Sequence, residues 1–282
     1  MIKTDFLHHL NKFSLLINKR VVSNYAGLRS SQAHGAGLVL KDYIQYTPGD
    51  DYRRIDWRVF ARTDKLFVKR YEEERNMTAH IIVDFSASMS FGEKVKKWEY
   101  AGMLGLGFAY MALKDNEKFV LSTFSDKLDL FRPKRGRKNI AAIIDYLNSR
   151  KPNNSSKLYE SISKYSHLIA SRSLVVIISD FLYQIDEIKN ALYKLKNSEV
   201  KLIQVLDPVE TKLEIEGDYK LKDLETSAQM RVNIDPAFRR SYFGRLSDHQ
   251  AKIKQACDEI GAEFFIANTQ EEIFDVFYKI LG

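Results

Sequence analysis

Apolar residues change their spacing twice along the chain. Over residues 4–20, Phe6, Leu7, Leu10, Phe13, Leu16 and Ile17 recur at helical spacing, which predicts an amphipathic helix. Residues 21–76 lose that periodicity and are dense in Gly, Asp, Arg and Tyr. Short β-prone pieces at 38–40 (Leu-Val-Leu) and 66–68 (Leu-Phe-Val) predict an irregular β-rich module held by polar contacts. From residue 78 short apolar runs alternate with longer amphipathic ones. Strands are expected at 79–83, 118–124, 127–131, 174–178, 200–206 and 263–267. Helices are expected at 94–113, 139–148, 157–170, 187–196, 236–260 and 271–281. The run LVVII at 174–178 is apolar throughout, as a strand buried on both faces requires. The alternation predicts an α/β domain with a mostly parallel sheet covered on both sides. The division is therefore an N-terminal helix plus Asp/Arg-rich β module at 1–76 and an α/β domain at 77–282, with a hairpin-like insertion near 209–234.

Composition narrows the class. The 282 residues are 45% hydrophobic and 29% charged, which excludes a disordered chain, a collagen or a rod. Cys257 is the single cysteine, so there is no intramolecular disulfide and no cysteine-based zinc site, and a reducing compartment is expected. The longest uncharged apolar-rich run, Tyr100 to Leu113, is too short for a spanning helix, which needs about 20 residues. The first twenty residues carry Asp5, Lys12 and Lys19 among their apolar positions and do not read as a secretory signal. A soluble, cytoplasmic protein without a transmembrane segment is the expectation.

Charge adds a basic bias of +7, with 14 Lys/Arg against 9 Asp/Glu in residues 1–75 and four cations in the loop 133–138 (Pro-Lys-Arg-Gly-Arg-Lys). That bias suits nucleic acid, anionic lipid or an acidic protein. No helix-turn-helix, zinc finger or RNP-like pattern accompanies it, so nucleic acid is not the expected partner.

In a parallel sheet, ligands bind beyond the carboxyl ends of the strands, where the strand order reverses. After the first α/β strand come Asp84-Phe85-Ser86-Ala87-Ser88, whose alternation sets one carboxylate and two hydroxyls toward one space. After LVVII come Ser179 and Asp180. Between them a polar loop opens a helix and offers Ser156, with Ser155 supplying the same hydroxyl one residue earlier. Each piece alone reads as a helix cap. Together they form a hard-oxygen donor set for Mg²⁺ or Mn²⁺.

The order Asp84-x-Ser86-x-Ser88, a hydroxyl at a helix start, then Asp180 resembles the metal-ion-dependent adhesion site (MIDAS) of von Willebrand factor type A domains. The resemblance implies a doubly wound α/β fold and a metal held by Asp84, Ser86, Ser88, Ser156 and Asp180. Ser156 stands where that family usually has threonine. The chain is also similar to the bacterial "domain of unknown function 58" proteins. That likeness is carried by residues 34–37 (His-Gly-Ala-Gly), 46–57 (through Gly49, Asp50, Asp51, Arg53, Arg54, Ile55, Asp56 and Trp57), Ala61-Arg62, 67–69, 72–75, Lys97-x-Glu99-x-Ala101, 206–210 (Leu-Asp-Pro-Val-Glu) and 223–226. It implies a MoxR-type AAA+ ATPase as partner.

The expected function is a non-enzymatic, metal-dependent protein-binding module whose cation takes an acidic side chain from the partner. A metal-dependent phosphoester hydrolase and a basic-surface nucleic-acid or membrane binder are the alternatives; the first lacks an evident general base beside the motif. Asp50, Asp51, Arg53, Arg54, Asp56 and Arg62 are expected to form a structural charge network, with Trp57 as a core anchor. Gly102, Gly105 and Gly107 lie inside a predicted helix without a following Lys-Ser/Thr. They are expected to let the helix approach the sheet rather than to cradle phosphate.

Overall fold

The computed structural model describes residues 6, 10, 39–72, 78–114, 117–131, 139–153, 155–169, 173–224 and 228–281. The basic loop 133–138 lies outside them, as does most of the expected N-terminal helix. The chain divides into two compact units, Leu16–Asn76 and Met1–Leu15 with Met77–Gly282.

In the smaller unit, β1 (Val39–Gln45) pairs antiparallel with β2 (Phe67–Glu72). The connection holds a 3-10 turn, Tyr52–Arg54, and helix α1 (Trp57–Thr63), which the sequence reading did not foresee. Asp51 caps the turn, accepting from Arg53 N at 3.0 Å. Asp56 caps α1, accepting from Arg58 N at 2.9 Å and from the Tyr43 hydroxyl at 3.0 Å. These caps satisfy backbone donors that a helix start otherwise leaves open. Trp57 is not a core anchor: as the first residue of α1 it turns outward and is 62% exposed, meeting Phe60 edge-on. Ile55 and Val68 are buried instead.

The larger unit is built on a six-stranded sheet of order β10-β7-β6-β3-β4-β5. Its strands are β3 (Thr78–Asp84), β4 (Lys118–Phe124), β5 (Leu128–Phe131), β6 (Leu174–Ser179), β7 (Glu199–Leu206) and β10 (Glu263–Asn268). All neighbours run parallel except β5, which folds back on β4 as an antiparallel edge. The apolar runs fill the interior: Ile81, Ile82, Val83, Val176, Ile178, Leu202 and Ile203 are fully buried.

The crossovers carry helices α2 (Lys97–Lys114), α3 (Asn139–Ser149), α4 (Leu158–Ser166), α5 (Ile185–Tyr193), the short α6 (Pro208–Lys212), α7 (Pro236–Asp258) and α8 (Ile273–Leu281). Helix α2 packs with α3 and α8, whereas α5 packs with α4 and α7, so the sheet is covered by two helical layers. The insertion is a two-stranded ribbon, β8 (Gly217–Lys222) with β9 (Gln229–Ile234). Phe6 stacks on Phe274 of α8 at 5.8 Å, and Leu10 is buried.

Of the glycines of α2, Gly105 acts as expected: a methyl there would stand 2.9 Å from the Val83 side chain, so helix and sheet approach closely because no side chain intervenes. Gly107 faces a helix instead of the sheet, and a methyl there would run into the Phe277 ring of α8.

Candidate functional site

The chain leaves β3 in one direction, to β4, and later adds β6 on the other side. The switch point therefore lies between the carboxyl ends of β3 and β6, where an open α/β sheet forms its crevice. Asp84 ends β3, and Ser179 ends β6 with Asp180 following.

Asp84 is fully buried. Its Oδ1 accepts from Ser86 N at 2.8 Å, an Asx turn that sends the chain into the 3-10 segment Ala87–Ser90. Its Oδ2 accepts from Ser179 Oγ at 2.6 Å and from the Tyr183 hydroxyl at 2.5 Å. Tyr183 also hydrogen-bonds Ser156 Oγ and so draws Ser156 to the same place, while Ser155 is exposed. Ser86 Oγ and Ser88 Oγ stand 3.1 Å apart. The loop carrying Ser156 is fastened beside the site by Asn153 N on Phe85 O and Lys157 N on Ser125 O, each at 3.1 Å.

Asp180 has a different neighbour. Its Oδ2 accepts from Lys97 Nζ at 2.9 Å, and the same ammonium reaches Glu210 Oε1 at 2.9 Å. Lys97 is 1% exposed and Asp180 2%. Gln204 donates to the Asp180 carbonyl at 2.8 Å and accepts from Gln250 of α7 at 2.9 Å. Phe181 takes a left-handed backbone with φ of 50°, which turns the chain sharply after Asp180.

The electrostatics follow from burial. Desolvation first, and the Asp180 charge second, push Asp84 up to about 6, against the pull of Ser179, Tyr183 and Ser86. Burial, then the Asp84 and Asp180 charges, raise Tyr183 well above the usual tyrosine value, so it stays a hydroxyl donor. Burial works against the Lys97 ammonium, but Asp180 and Glu210 together raise its pKa.

The donor set fits a hard divalent cation in its chemistry. Oxygens about 2.0–2.1 Å from Mg²⁺ lie about 3 Å apart along an octahedral edge, and the Ser86–Ser88 pair at 3.1 Å has that spacing. The structure brings Asp84, Ser86, Ser88 and Ser156 into one hydrogen-bonded cluster and sets Asp180 close enough for its charge to act on Asp84. Beside Tyr183, the loop Leu182–Ile185 and Arg245, Asp248, His249 and Lys252 of α7 line a cleft of about 430 Å³.

Three participants escaped the sequence reading. Lys97 and Glu210 were visible only as members of a family pattern, although a lysine at the head of an apolar helix was a usable signal. Tyr183 had none, since its partners lie far away in the chain.

Among known proteins, the chain is 27% identical over 232 residues to the uncharacterized protein Rv1480 of Mycobacterium tuberculosis, across 80% of this chain and 73% of that one. It is 31% identical over 101 residues to the uncharacterized protein MAV169 of Mycobacterium avium, across 36% of this chain and 60% of that one. Similar solved structures include the conserved hypothetical protein BatB from Bacteroides thetaiotaomicron, at 14% identity and TM-score 0.43 over 72% of this chain and 98% of that one. The VWA domain of SpRpn10 aligns at 11% identity and TM-score 0.44, over 72% and 94% of the two chains. Residues 42–252 match the profile of the family described as "Protein of unknown function DUF58". The chain is a member of the DUF58 family, and its larger unit is an α/β domain on a mostly parallel six-stranded sheet.

Proposed function

We propose that this protein is a non-enzymatic binding module that holds Mg²⁺ or Mn²⁺ at the β3–β6 switch point and engages an acidic side chain of a protein partner. Ser86, Ser88 and Ser156 would hold the cation, with Asp84 and Asp180 contributing directly or through water. The observation that carries this reading is the Ser86–Ser88 oxygen pair beside buried Asp84. When bound, the cation supplies an electrophilic centre that takes a carboxylate oxygen. The chain's own residues do the positioning. Tyr183 pins Ser156 beside Asp84, and Ser179 orients the Asp84 carboxylate. Arg245 and Lys252 outnumber Asp248 in the adjoining cleft, and that net positive lining suits an acidic partner.

A binding role suits the remaining polar groups better than catalysis does. Lys97 and Tyr183, which would otherwise serve as acid or base, are both committed to carboxylates. A MoxR-type AAA+ ATPase in the cytoplasm is the partner this reading favours, on the strength of the family resemblance. Among the described residues no helix is long and apolar enough to cross a membrane.

The test is capture of a purified MoxR-type ATPase by this protein in Mg²⁺ and in EDTA, with Asp84→Ala alongside. Capture only in Mg²⁺, and its loss in the variant, is expected. Equal capture in all three conditions would overturn the reading.

A further inference from the structure

The two carboxylates of the site are held by donors of different charge. Every partner observed on Asp84 is neutral: Ser86 N, Ser179 Oγ and the Tyr183 hydroxyl. Asp180 is held by an ammonium. Lys97 is the first residue of α2, and its Nζ stands 2.9 Å from Asp180 Oδ2, 2.9 Å from Glu210 Oε1 and 5.8 Å from the Phe91 ring centroid. Glu210 is itself fixed, because its Oε2 accepts from Asp207 N at 2.8 Å as part of a capping box at the start of α6. The ammonium is thus shared between a carboxylate at the rim of the sheet and one in a neighbouring helix cap.

We propose that Lys97 is a built-in counter-cation that sets the affinity of the site for divalent metal, with Glu210 governing how firmly Lys97 holds Asp180. This rests on the metal-binding reading above. Lys97 occupies Oδ2 of Asp180 and offsets its charge. Oδ1, met among the described residues by Leu182 N at 3.4 Å, is the oxygen left to serve the metal. In this buried setting an ammonium close to a metal site opposes metal binding strongly. The site gives up affinity, and a cation bound there keeps more of its positive charge for a partner's carboxylate.

The arrangement makes two substitutions act in opposite directions. Lys97→Met keeps the length and removes the charge, so Asp180 is freed and the repulsion vanishes. Glu210→Gln keeps the capping acceptor and removes the competing carboxylate, so Lys97 turns its full charge on Asp180. The experiment is calorimetric titration of Mg²⁺ and of Mn²⁺ into the full chain, for the parent and both variants, with folding checked by circular dichroism. Opposite charges at such distances shift ionic equilibria by one or more powers of ten. Binding is therefore expected to tighten about tenfold in Lys97→Met and to weaken severalfold in Glu210→Gln. Parent binding with unchanged affinity in a folded variant, or a change of the opposite sign, overturns the role of Lys97 and leaves the metal site standing. Should Lys97→Met fail to fold, Glu210→Gln decides alone by the same signs. A parent that binds neither ion overturns the metal site and the role of Lys97 together.

Discussion

His80 and Asp84 lie on the same strand, both buried, and burial has treated them differently. His80 sits in the interior with its ring Nδ1 2.8 Å from the Tyr165 hydroxyl and edge-on to that ring. Desolvation lowers its pKa to about 4, so it is neutral at physiological pH. Asp84 stands at the rim, where three donors serve its carboxylate, yet burial and Asp180 still push it up to about 6. The interior disposes of charge, whereas the rim surrounds charge with donors and leaves it partly uncompensated. Groups that hold the sheet together should therefore govern stability without touching ligand affinity, and groups at the rim should do the reverse.

The largest effect should come from Asp84→Asn, which preserves shape and removes charge. Loss of Mg²⁺ binding by about a hundredfold is expected, comparable to the larger effects of altering groups around metal sites. In EDTA the variant should be at least as stable as the parent at pH 7.5, because the folded state already opposes that charge. A clear drop in its urea midpoint would break the contrast.

Next comes the pH response of the interior. As pH falls, the unfolded chain protonates His80 near 6.5, while the folded protein resists until about 4. Stability from this group is full above 6.5 and is lost as pH falls through that window, by on the order of 3 kcal/mol. Urea unfolding across the window measures the loss, and the ring proton resonance of His80 in the folded protein should not titrate above pH 5.

The smallest is Gly107→Ala, whose methyl meets the Phe277 ring. Overpacking of this kind costs about 1–3 kcal/mol, partly offset by up to about 1 kcal/mol of helix propensity. Denaturant midpoints should fall while Mg²⁺ affinity stays unchanged, and a parallel loss of affinity would show that interior and rim are coupled.

Much of the fold was legible because the strands declare themselves. Runs such as Ile81–Val83 and Leu174–Ile178 are apolar at consecutive positions, and a strand buried on both faces demands that. The turn after β4, expected at Ser125-Asp126, spans Ser125–Lys127, and the ribbon β8–β9 was legible as a polar hairpin-like stretch. Helices α1 and α6 were not, since seven and five residues are too few to show a period. Their caps, Asp56 and Asp207, were the available signals. At the site, Asp84, Ser86 and Ser88 were legible as a group because one turn places them together. Lys97, Glu210 and Tyr183 were not, because only the tertiary fold brings them to Asp180 and Asp84.

The contact of Phe274 with Phe6, and of Phe277 with the notch at Gly107, ties the last helix to the beginning and middle of the chain. The edge strand that precedes it, β10, is likewise laid down only after β7. On the ribosome, then, this unit must wait for nearly its whole length to emerge before those surfaces can close. Contacts between such distant residues carry a loop-closure cost that slows folding, and until they form, the apolar side of α2 stays uncovered.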